Sequence, residues 1–298
     1  MLEFFLVGSM LAGTAPFDTD HPSLHAWFEA DSGVNDGTAA DGDIVVNWLD
    51  QSGHARHLVR TDSSEDRRPH WNAAALDGAP SVSFDGNDYI WCEPNSTWGT
   101  LGGNKMFFFV SQVNAADGGY IFDSYTGAAR NAAFAGQVSA PEIWHLYDGS
   151  TVLATSTVVT ATIQVHAMEF SAAGMKHWID GELAGEGAAN NGPMTGIVVG
   201  SRYNTANGLS GDIGSLIVFS EVLPSDERQD IEDWLNDRYN PSTCPDLDGN
   251  DVVNVEDLLL MLSAYGETCT GCVEDVNDSG TVDVEDLLLL IAGWGDCG

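Results

Sequence analysis

Two copies of a twelve-residue acidic loop near the end of the chain carry side-chain oxygens at a spacing that suits a metal ion. In each copy the oxygens fall at loop positions 1, 3, 5, 9 and 12, and position 7 would add its backbone carbonyl. Calcium is a hard cation that takes about six to eight oxygen ligands, so this spacing predicts two Ca²⁺ sites. A solvated acidic turn would explain one such loop, but two loops in register, each ending in Asp-Leu-Leu-Leu, favour calcium. The predicted ligands are Asp246, Asp248, Asn250, Val252, Asn254 and Asp257 in the first loop, and Asp275, Asn277, Ser279, Thr281, Asp283 and Asp286 in the second.

Each loop is followed by an apolar run, 258–266 and 287–295, that predicts a short buried helix ending near a glycine suited to a C-terminal cap. With these elements, residues 244–298 resemble a type I dockerin, a module of two loop–helix calcium repeats. The resemblance implies that the loops bind two Ca²⁺ ions. It also implies that the helices dock onto a cohesin-like partner.

The sequence departs from the dockerin pattern at two places. Asp251 stands at position 6 of the first loop, where a glycine normally permits a sharp turn, which would weaken that site. Positions 10 and 11 are Val255-Glu256 and Val284-Glu285, not the Ser/Thr pair of familiar cohesin binders. The two repeats are identical at these positions, which suits two-fold symmetric docking.

Four cysteines bracket the two repeats. Cys244 to Cys269 and Cys272 to Cys297 are each 25 positions apart, and this symmetric spacing favours two disulfides, one in each repeat. Each bridge would stabilise a repeat too small to build much core by about 3 kcal/mol. A zinc site, or redox chemistry at Cys269-Thr-Gly-Cys272, is the alternative. Cys92 is left over, and a buried thiol is the simplest interpretation.

The charge of the chain excludes some partners. It has 298 residues and a formal net charge of −35 at pH 7, with 45 acidic residues against 10 basic ones. Such a chain repels nucleic-acid phosphates and anionic lipid, so neither is expected as a partner. The excess of acid suits a salty, calcium-containing habitat, and a merely solubilising surface is the alternative.

The first fifteen residues resemble the end of a secretory signal peptide, with an apolar stretch over 4–11 and small residues over 12–15. They depart from the pattern because Glu3, and no Lys or Arg, precedes the apolar stretch. We therefore expect residues 1–19 to be a partial signal peptide and leader. No other stretch is long enough to span a bilayer. The calcium loops and paired cysteines also favour a secreted, extracellular or cell-surface location.

Residues 20–240 predict an all-β domain, with 241–298 as a separate small domain. Short candidate strands alternate with Gly, Asn and Asp turns, which indicates a sandwich or barrel. Asp180-Gly181 predicts a tight hairpin, a turn that needs positive φ. A helix follows, with Ser225 as its cap and Ile231, Trp234 and Leu235 as its apolar stripe. Examples of the candidate strands are 81–84, 106–113, 164–170, 176–179, 196–200 and 215–219.

The order of features in this domain resembles a laminin G-like, concanavalin A-like jelly roll. The expected fold class is therefore mainly β: a concanavalin A-like jelly-roll sandwich followed by a small α-helical, calcium-binding, dockerin-like domain. The family is mostly a binding fold for glycans or proteins, but it includes polysaccharide hydrolases and lyases, so the fold does not settle the function. The segments that carry the resemblance are 25–31 with 48–53, 82–89, 178–182, and 209–214 running through 223–227.

No complete catalytic motif is present in the sequence. Laminarinase-type glucanases of this fold carry Glu-x-Asp-x-x-Glu on one strand, and here Glu29-Ala-Asp31 begins the pattern but Val34 stands at its last position. Neither a His-Glu-x-x-His metal site nor a Gly-x-Ser-x-Gly elbow occurs. His54 and His57 are interpreted as surface histidines.

A carbohydrate site needs aromatic faces for stacking and polar groups for the sugar hydroxyls. Trp91 and Trp98 flank a turn-rich stretch and are the candidate exposed platform, although a single tryptophan is more often core. Asp85, Asn87 and Asp88 are candidate ligands of a third calcium ion, with a plain turn as the alternative.

Together these features predict a secreted, non-enzymatic protein whose sandwich binds a glycan or an extracellular protein. Two alternatives stay open: a polysaccharide-degrading enzyme that carries a dockerin, and a structural surface or matrix component. A concave carboxylate pair would favour the enzyme, an exposed aromatic platform the lectin, and a sandwich without a groove the structural component.

Overall fold

The computed structural model describes residues 15–60, 65–114, 118–136, 142–240, 244–250, 252–268, 272–276 and 279–296. The chain divides into two compact units, Met1–Asn240 and Pro241–Gly298. Of the leader expected over residues 1–19, residues 1–14 lie outside the described residues, and the leader stays a prediction. Phe17, at its described end, packs edge-to-face on Trp27 with ring centroids 5.1 Å apart. In the described parts of the chain, no helix is long and apolar enough to cross a membrane.

The first unit is a sandwich of two antiparallel sheets, which confirms the mainly-β prediction. The first sheet has the strand order β15-β14-β13-β8-β18-β5-β4, and β1 also pairs with β18. The second sheet has the order β12-β11-β10-β9-β17-β6-β3-β2, and β7 pairs with β16 separately. The strands are β1 (Leu24–Glu29), β2 (Asn47–Trp48), β3 (Leu58–Val59), β4 (His70–Leu76), β5 (Ala79–Asp85), β6 (Ile90–Cys92), β7 (Thr100–Leu101), β8 (Lys105–Val113), β9 (Gly119–Asp123), β10 (Ala132–Ala135), β11 (Ile143–Tyr147), β12 (Val152–Val158), β13 (Ile163–Ser171), β14 (Gly174–Ile179), β15 (Glu182–Gly187), β16 (Met194–Thr195), β17 (Ile197–Val199) and β18 (Ser210–Phe219).

The main core lies between the two sheets. Because side chains alternate along each strand, one face of each sheet supplies the residues that pack against the other sheet. Phe107 of the first sheet stacks on Phe122 of the second, with ring centroids 4.5 Å apart. Phe109 and Trp144 meet in the same way, with centroids 6.2 Å apart. These inward rings hold the sheets together.

Helix α1 (Ser225–Tyr239) covers the outer face of the first sheet. The predicted stripe of Ile231, Trp234 and Leu235 is buried there and packs in a second core with rings such as Phe108. The expectation that Ser225 caps this helix is wrong. Pro224 occupies the N-cap position and makes no side-chain capping bond, so Ser225 is the first helical residue.

Glu29 joins this helix to the first sheet. Its carboxylate accepts hydrogen bonds from Trp27 Nε1 at 2.7 Å, Ser215 Oγ at 2.8 Å and the Tyr239 hydroxyl at 3.0 Å. Arg238 Nη2 lies 3.6 Å from the same carboxylate. Burial raises the pKa of Glu29, and the charge of Arg238 opposes that shift. The residue at which the glucanase-like pattern begins therefore has a structural role beneath the helix.

The predicted hairpin forms between β14 and β15. Asp180 and Gly181 both have positive φ, 51° and 81°. Two consecutive residues in this region are what a two-residue hairpin turn requires. The six strand examples are also present, as parts of β5, β8, β13, β14, β17 and β18.

The second unit contains two short helices, α2 (Val255–Ala264) and α3 (Val284–Ala292), and a two-stranded sheet of β19 (Val252–Val253) and β20 (Gly295–Asp296). Its small core contains Met261 of α2 and Leu290 of α3. The expectation of wholly buried helices is wrong, because each helix buries one side and exposes leucines on the other. A module of this size does not have enough core to cover a helix all round.

Two histidines are buried together in the sandwich. His166 Nδ1 lies 3.0 Å from His177 Nε2, and His166 also stacks on Phe109 with centroids 4.3 Å apart. Burial lowers the pKa of His177 to about 3 and that of His166 well below its ordinary 6.5. Both rings are therefore neutral in the folded protein at neutral pH.

We predict that acid destabilises the sandwich through this pair. The unfolded chain binds protons at these histidines near pH 6.5, whereas the folded one does not until about pH 3 for His177. Stability is therefore complete above pH 6.5 and is lost as the pH falls through this window, by up to about 2 kcal/mol for each histidine at pH 5. Urea unfolding between pH 7 and pH 5, followed by tryptophan fluorescence, measures the loss.

A matched pair of variants isolates this contribution. His177→Gln should flatten the pH dependence, while His70→Gln, at an exposed histidine, should leave it unchanged. An unaltered slope in His177→Gln would show that other groups cause the acid sensitivity.

Candidate functional sites

The first acidic loop brings three carboxylates together. One oxygen each from Asp246, Asp248 and Asp257 lie within 4.8 Å of one another. Desolvation and the negative charge of Asp257 raise the pKa of Asp248. Like charges held this close repel one another, and a divalent cation bound between them would relieve the repulsion. The donor set is all oxygen, which fits calcium better than zinc.

A capping box at the start of α2 holds Asp257 in place. Asn254 Oδ1 accepts a hydrogen bond from the Glu256 N–H at 2.7 Å, and Asp257 Oδ2 accepts one from the Asn254 N–H at 2.8 Å. Asp257 Oδ1 also accepts the Leu247 N–H at 2.7 Å. The N-cap residue and the last loop residue are thus positioned by the same turn. The helix start therefore fixes two of the predicted calcium ligands.

The second loop repeats this arrangement. Asp283 caps α3, and Asp286 Oδ2 accepts the Asp283 N–H at 2.8 Å. Asp275 Oδ1 accepts the Ser279 N–H at 3.0 Å, and its Oδ2 accepts the Gly280 N–H at 2.7 Å. Gly280 stands at position 6 with φ 86°, the left-handed conformation that favours glycine there. Position 6 of the first loop, Asp251, lies outside the described residues, as does Asn277 of the second loop.

The segment after the helices pairs with the loops. Val252 at position 7 of the first loop pairs with Asp296, and Thr281 at position 7 of the second pairs with Thr268. In each loop, position 7, whose backbone carbonyl is a predicted calcium ligand, therefore pairs with a residue that lies outside the loop. Cys244 and Cys272 pack against the small core between the helices. Cys269 and Cys297 lie outside the described residues, so the two disulfide pairings stay a prediction.

Matching apolar side chains are exposed on the two helices. Four of them in the first repeat each have an exposed apolar counterpart 29 residues later in the second. Their exposed fractions run from 48% for Tyr265 to 63% for Leu259, far above a core residue. Residues 0, 4, 7 and 10 positions apart share a helix face, so each set forms one stripe. The two apolar stripes are Val255, Leu259, Leu262 and Tyr265 in the first repeat, and Val284, Leu288, Ile291 and Trp294 in the second.

The outer face of the second sheet carries a row of stacked rings. Tyr120 on β9, Phe134 on β10 and His145 on β11 lie directly across from one another, with centroids 4.7 Å and 4.9 Å apart. The rings extend along the face toward β6, where Trp91 lies 6.4 Å from Tyr125. We call these residues, together with Tyr147, the aromatic face. Tyr120, Phe134 and His145 are buried, at 7%, 6% and 4% exposure, whereas Trp91, Tyr125 and Tyr147 are half-buried.

A buried ion pair organises one end of the aromatic face. Arg130 Nη2 donates to Asp123 Oδ2 at 2.5 Å, and Arg130 Nε donates to Asp123 Oδ1 at 3.1 Å. The Tyr203 N–H donates to Asp123 Oδ2 at 3.1 Å. Burial alone would lower the pKa of Arg130, but hydrogen bonds and charge from Asp123 outweigh it and raise that pKa. The guanidinium thus stays charged, 4.6 Å from the Tyr147 ring centroid.

An exposed carboxylate lies at the other end of the aromatic face. The Tyr125 hydroxyl donates to Glu93 Oε1 at 3.2 Å. Desolvation, followed by the charge of Glu93, raises the pKa of Tyr125. Trp91 lies opposite Val198 on β17, and Val198 lies opposite Asp123 on β9, so Trp91 and Asp123 share one face of the sheet with β17 between them. Glu93 follows the end of β6.

The structure separates the residues predicted for the sandwich site. Trp91 is half-buried on the aromatic face, but the expectation that Trp98 is exposed is wrong. Trp98 is only 1% exposed, and its ring lies 4.8 Å from that of His25 inside the fold. His57 is not a free surface residue either, because its Nδ1 accepts the Asp50 N–H at 3.0 Å.

Asp85, Asn87 and Asp88 hold a turn. Asp85 Oδ1 accepts the Asn87 N–H at 2.9 Å, and Asp88 Oδ2 accepts the Asp85 N–H at 3.1 Å. Asn87 Nδ2 donates to the Asp66 carbonyl at 3.3 Å. These contacts are those of the plain turn, and a third calcium ion stays a prediction.

Sequence analysis missed Asp123, Arg130 and Tyr203. These residues lie far apart in the chain, and no local spacing relates them. The sequence offers one signal for them: basic residues are scarce in this chain, so an arginine is a candidate for a specific ion pair.

Comparison with known proteins supports the fold of the first unit. No protein-family model matches the sequence, and no curated protein is significantly similar to it. An arabinofuranosidase complexed with arabinofuranosyl-α-1,2-xylobiose matches 64% of this chain and 50% of its own, at 14% identity and TM-score 0.52. A GH54 α-L-arabinofuranosidase matches over the same shares at 14% identity and TM-score 0.50. Trypanosoma rangeli sialidase in complex with sialic acid matches 72% of this chain and 33% of its own, at 10% identity and TM-score 0.51.

These neighbours correct one expectation. The arabinofuranosidases among these neighbours are enzymes that act on carbohydrate, which contradicts the prediction of a non-enzymatic binding protein and favours its carbohydrate-active alternative. At such identities the likeness shows the fold alone, and this chain spans half or less of each neighbour. Laminin G and dockerin membership likewise stay predictions.

We predict that the wild-type chain binds two Ca²⁺ ions and that each loop contributes one. Asp257→Asn or Asp286→Asn should weaken one site by about tenfold or more, because each removes a buried charge from a ligand set. Isothermal titration calorimetry measures the stoichiometry, and the rise in melting temperature with calcium measures the coupling to folding.

Glu256→Gln and Glu285→Gln are the matched controls, since each removes one charge at an exposed neighbour of the loop. They should leave both sites intact. If the double variant Asp257→Asn/Asp286→Asn bound two ions as tightly as wild type, the loop assignment would be wrong.

Proposed function

We propose that this chain is a secreted polysaccharide-degrading enzyme: a laminin G-like sandwich that acts on glycan, joined to a dockerin-like module that binds two Ca²⁺ ions. The observation that carries the proposal is the exposed Glu93 carboxylate, which accepts a hydrogen bond from the Tyr125 hydroxyl beside the half-buried rings of the aromatic face. The kinship of fold with glycoside hydrolases supports the same conclusion.

The aromatic face suits sugar rings. Sugars present apolar C–H faces that pack on aromatic rings, while their hydroxyls need hydrogen-bonding groups nearby. Trp91, Tyr125 and Tyr147 are half-buried and supply such surface. Arg130 and Glu93 supply polar groups at opposite ends, so a glycan chain of several units would lie along the face.

Glu93 is the residue we assign to the chemistry. Glycoside hydrolysis usually needs a carboxyl group that gives or takes a proton at the scissile bond. Glu93 is exposed and is oriented by the Tyr125 hydroxyl. Asp123 is fully buried and saturated by Arg130 and backbone N–H groups, so it positions Arg130 and does not reach a substrate.

We expect the full chain to release reducing sugar from at least one member of a panel comprising arabinoxylan, arabinan, mixed-linkage glucan and polygalacturonate. Glu93→Gln should lower the rate by about 100-fold or more, the usual contribution of acid–base catalysis, with retention on the polymer unchanged. Glu182→Gln, which removes an exposed carboxylate on the first sheet, is the control and should keep full activity.

Two results would contradict this assignment. Full sugar release by Glu93→Gln would move the catalytic group elsewhere. Absence of release by the wild type on every polymer would reject the enzyme.

The role proposed for the second unit is attachment. Its two apolar stripes are too exposed to belong to a core, and exposed apolar surface of this kind favours a protein contact. Because the stripes match each other, one partner could bind to either of them in an equivalent way. Calcium would hold both helices in position for this contact. A cohesin-like domain is the partner implied by the resemblance.

We expect either stripe to suffice for docking. On a panel of recombinant type I cohesin domains, Leu259→Lys and Leu288→Lys should each reduce binding only slightly, and the double variant should abolish it, because a buried lysine in an apolar contact is strongly unfavourable. Val273→Lys, at an exposed valine outside both stripes, is the control. Surface plasmon resonance measures binding, and equal binding by wild type and double variant would reject the stripes as the contact.

A further inference from the structure

Positive charge is concentrated on one unit of this acidic protein. All ten Lys and Arg residues lie in the first unit, against a net charge of −35 for the whole chain. Most of the described cations have an evident structural use. Arg130 pairs with Asp123, Arg228 with Glu232, and Arg238 with Asp31 and Glu29.

Arg202 differs from these. In the described part of the chain no carboxylate forms an ion pair with it, and its Nε is buried without a hydrogen-bond partner. Its guanidinium lies 5.3 Å from the centroid of the Tyr203 ring. Arg202 is half-buried, and its positive charge has no carboxylate partner among the described residues, so an anionic ligand could pair with it.

A second guanidinium lies beside the same ring. Arg130 is 4.8 Å from the Tyr203 centroid, and Asp123 fixes both the Arg130 side chain and the Tyr203 backbone N–H. One buried carboxylate therefore sets the position of a tyrosine flanked by two arginines. Asp123 pairs with Arg130, so the charge of Arg202 is the one beside Tyr203 that this carboxylate does not neutralise.

We propose that the glycan bound on the aromatic face is anionic, and that its carboxylate or sulfate group binds at Arg202 beside Tyr203. The inference rests on the proposed function, since it assigns the substrate class of the same site. Arginine forms bidentate hydrogen bonds with carboxylate and sulfate groups. The sugar ring would pack on Tyr203 and Tyr147.

The overall charge of the protein gives this binding an unusual salt dependence. The distant carboxylates repel an anionic polymer, and salt screens that long-range repulsion more than it screens the contact at Arg202. Affinity should therefore hold or rise between 10 mM and about 150 mM salt. A nonspecific ionic attachment would weaken over the same range.

The test compares polymers that differ only in charge. The full chain is titrated with polygalacturonate and with its fully methyl-esterified form, and with a sulfated galactan and its unsulfated counterpart, by affinity electrophoresis. Wild type should bind one charged polymer at least tenfold more tightly than its neutral counterpart. The pair that shows the difference distinguishes carboxylate from sulfate.

Arg202→Gln should reduce binding of the charged polymer to the level of the neutral one, whereas Arg67→Gln, the loss of a charge at another exposed arginine, should not. Equal or tighter binding of the neutral polymers by wild type would overturn the anionic assignment while leaving the aromatic face as a glycan site. Equal loss in both arginine variants would also overturn it. Absence of binding to every polymer would instead reject the proposed function.

Discussion

The buried carboxylate of Glu29 attaches helix α1 to the first sheet, and the helix covers the outer face of that sheet. The carboxylate accepts hydrogen bonds from a tryptophan, a serine and a tyrosine, and it lies beside an arginine. The arginine and the tyrosine, Arg238 and Tyr239, belong to the last turn of α1. Leaving any of these polar groups unpaired in the interior would cost more than the contact itself contributes. The helix is therefore held against the outer face of the first sheet, and the ligand binding that we propose is on the second sheet.

Asp123 has the corresponding role on the opposite side of the molecule. Both carboxylates are buried, both accept several hydrogen bonds, and both hold an arginine. They differ in what lies above them: Glu29 is covered by a helix, whereas Asp123 lies beneath rings and a guanidinium that face outward. On both sheets a buried carboxylate thus fixes the position of cationic and aromatic neighbours. On the first sheet these neighbours belong to a covering helix, and on the second they belong to the aromatic face and the loops beside it.

The second unit has the opposite balance of forces. Its core contains few buried side chains, its loops crowd carboxylates together, and its helices expose leucines. Repulsion and exposed apolar surface both disfavour such a unit when it is isolated. Calcium would remove the first of these costs and a partner the second, so ion binding, folding and docking are physically coupled in the function we propose.

The sequence by itself determined the features that depend on neighbours along the chain. The sandwich strands, the Asp180-Gly181 hairpin, the stripe of α1 and the acid spacing of both loops follow from local periodicity and turn chemistry. Strands β6, β9, β10 and β11 carry most of the aromatic face, and all four are short, so their alternation gives a weak local signal. Only the tertiary structure placed Trp98 inside, put Glu29 under a helix, and brought Arg130, Arg202 and Tyr203 around Asp123. The physical reason is that burial and ion pairing depend on which strands become neighbours, and strand order in a sandwich is set by contacts between residues far apart in sequence.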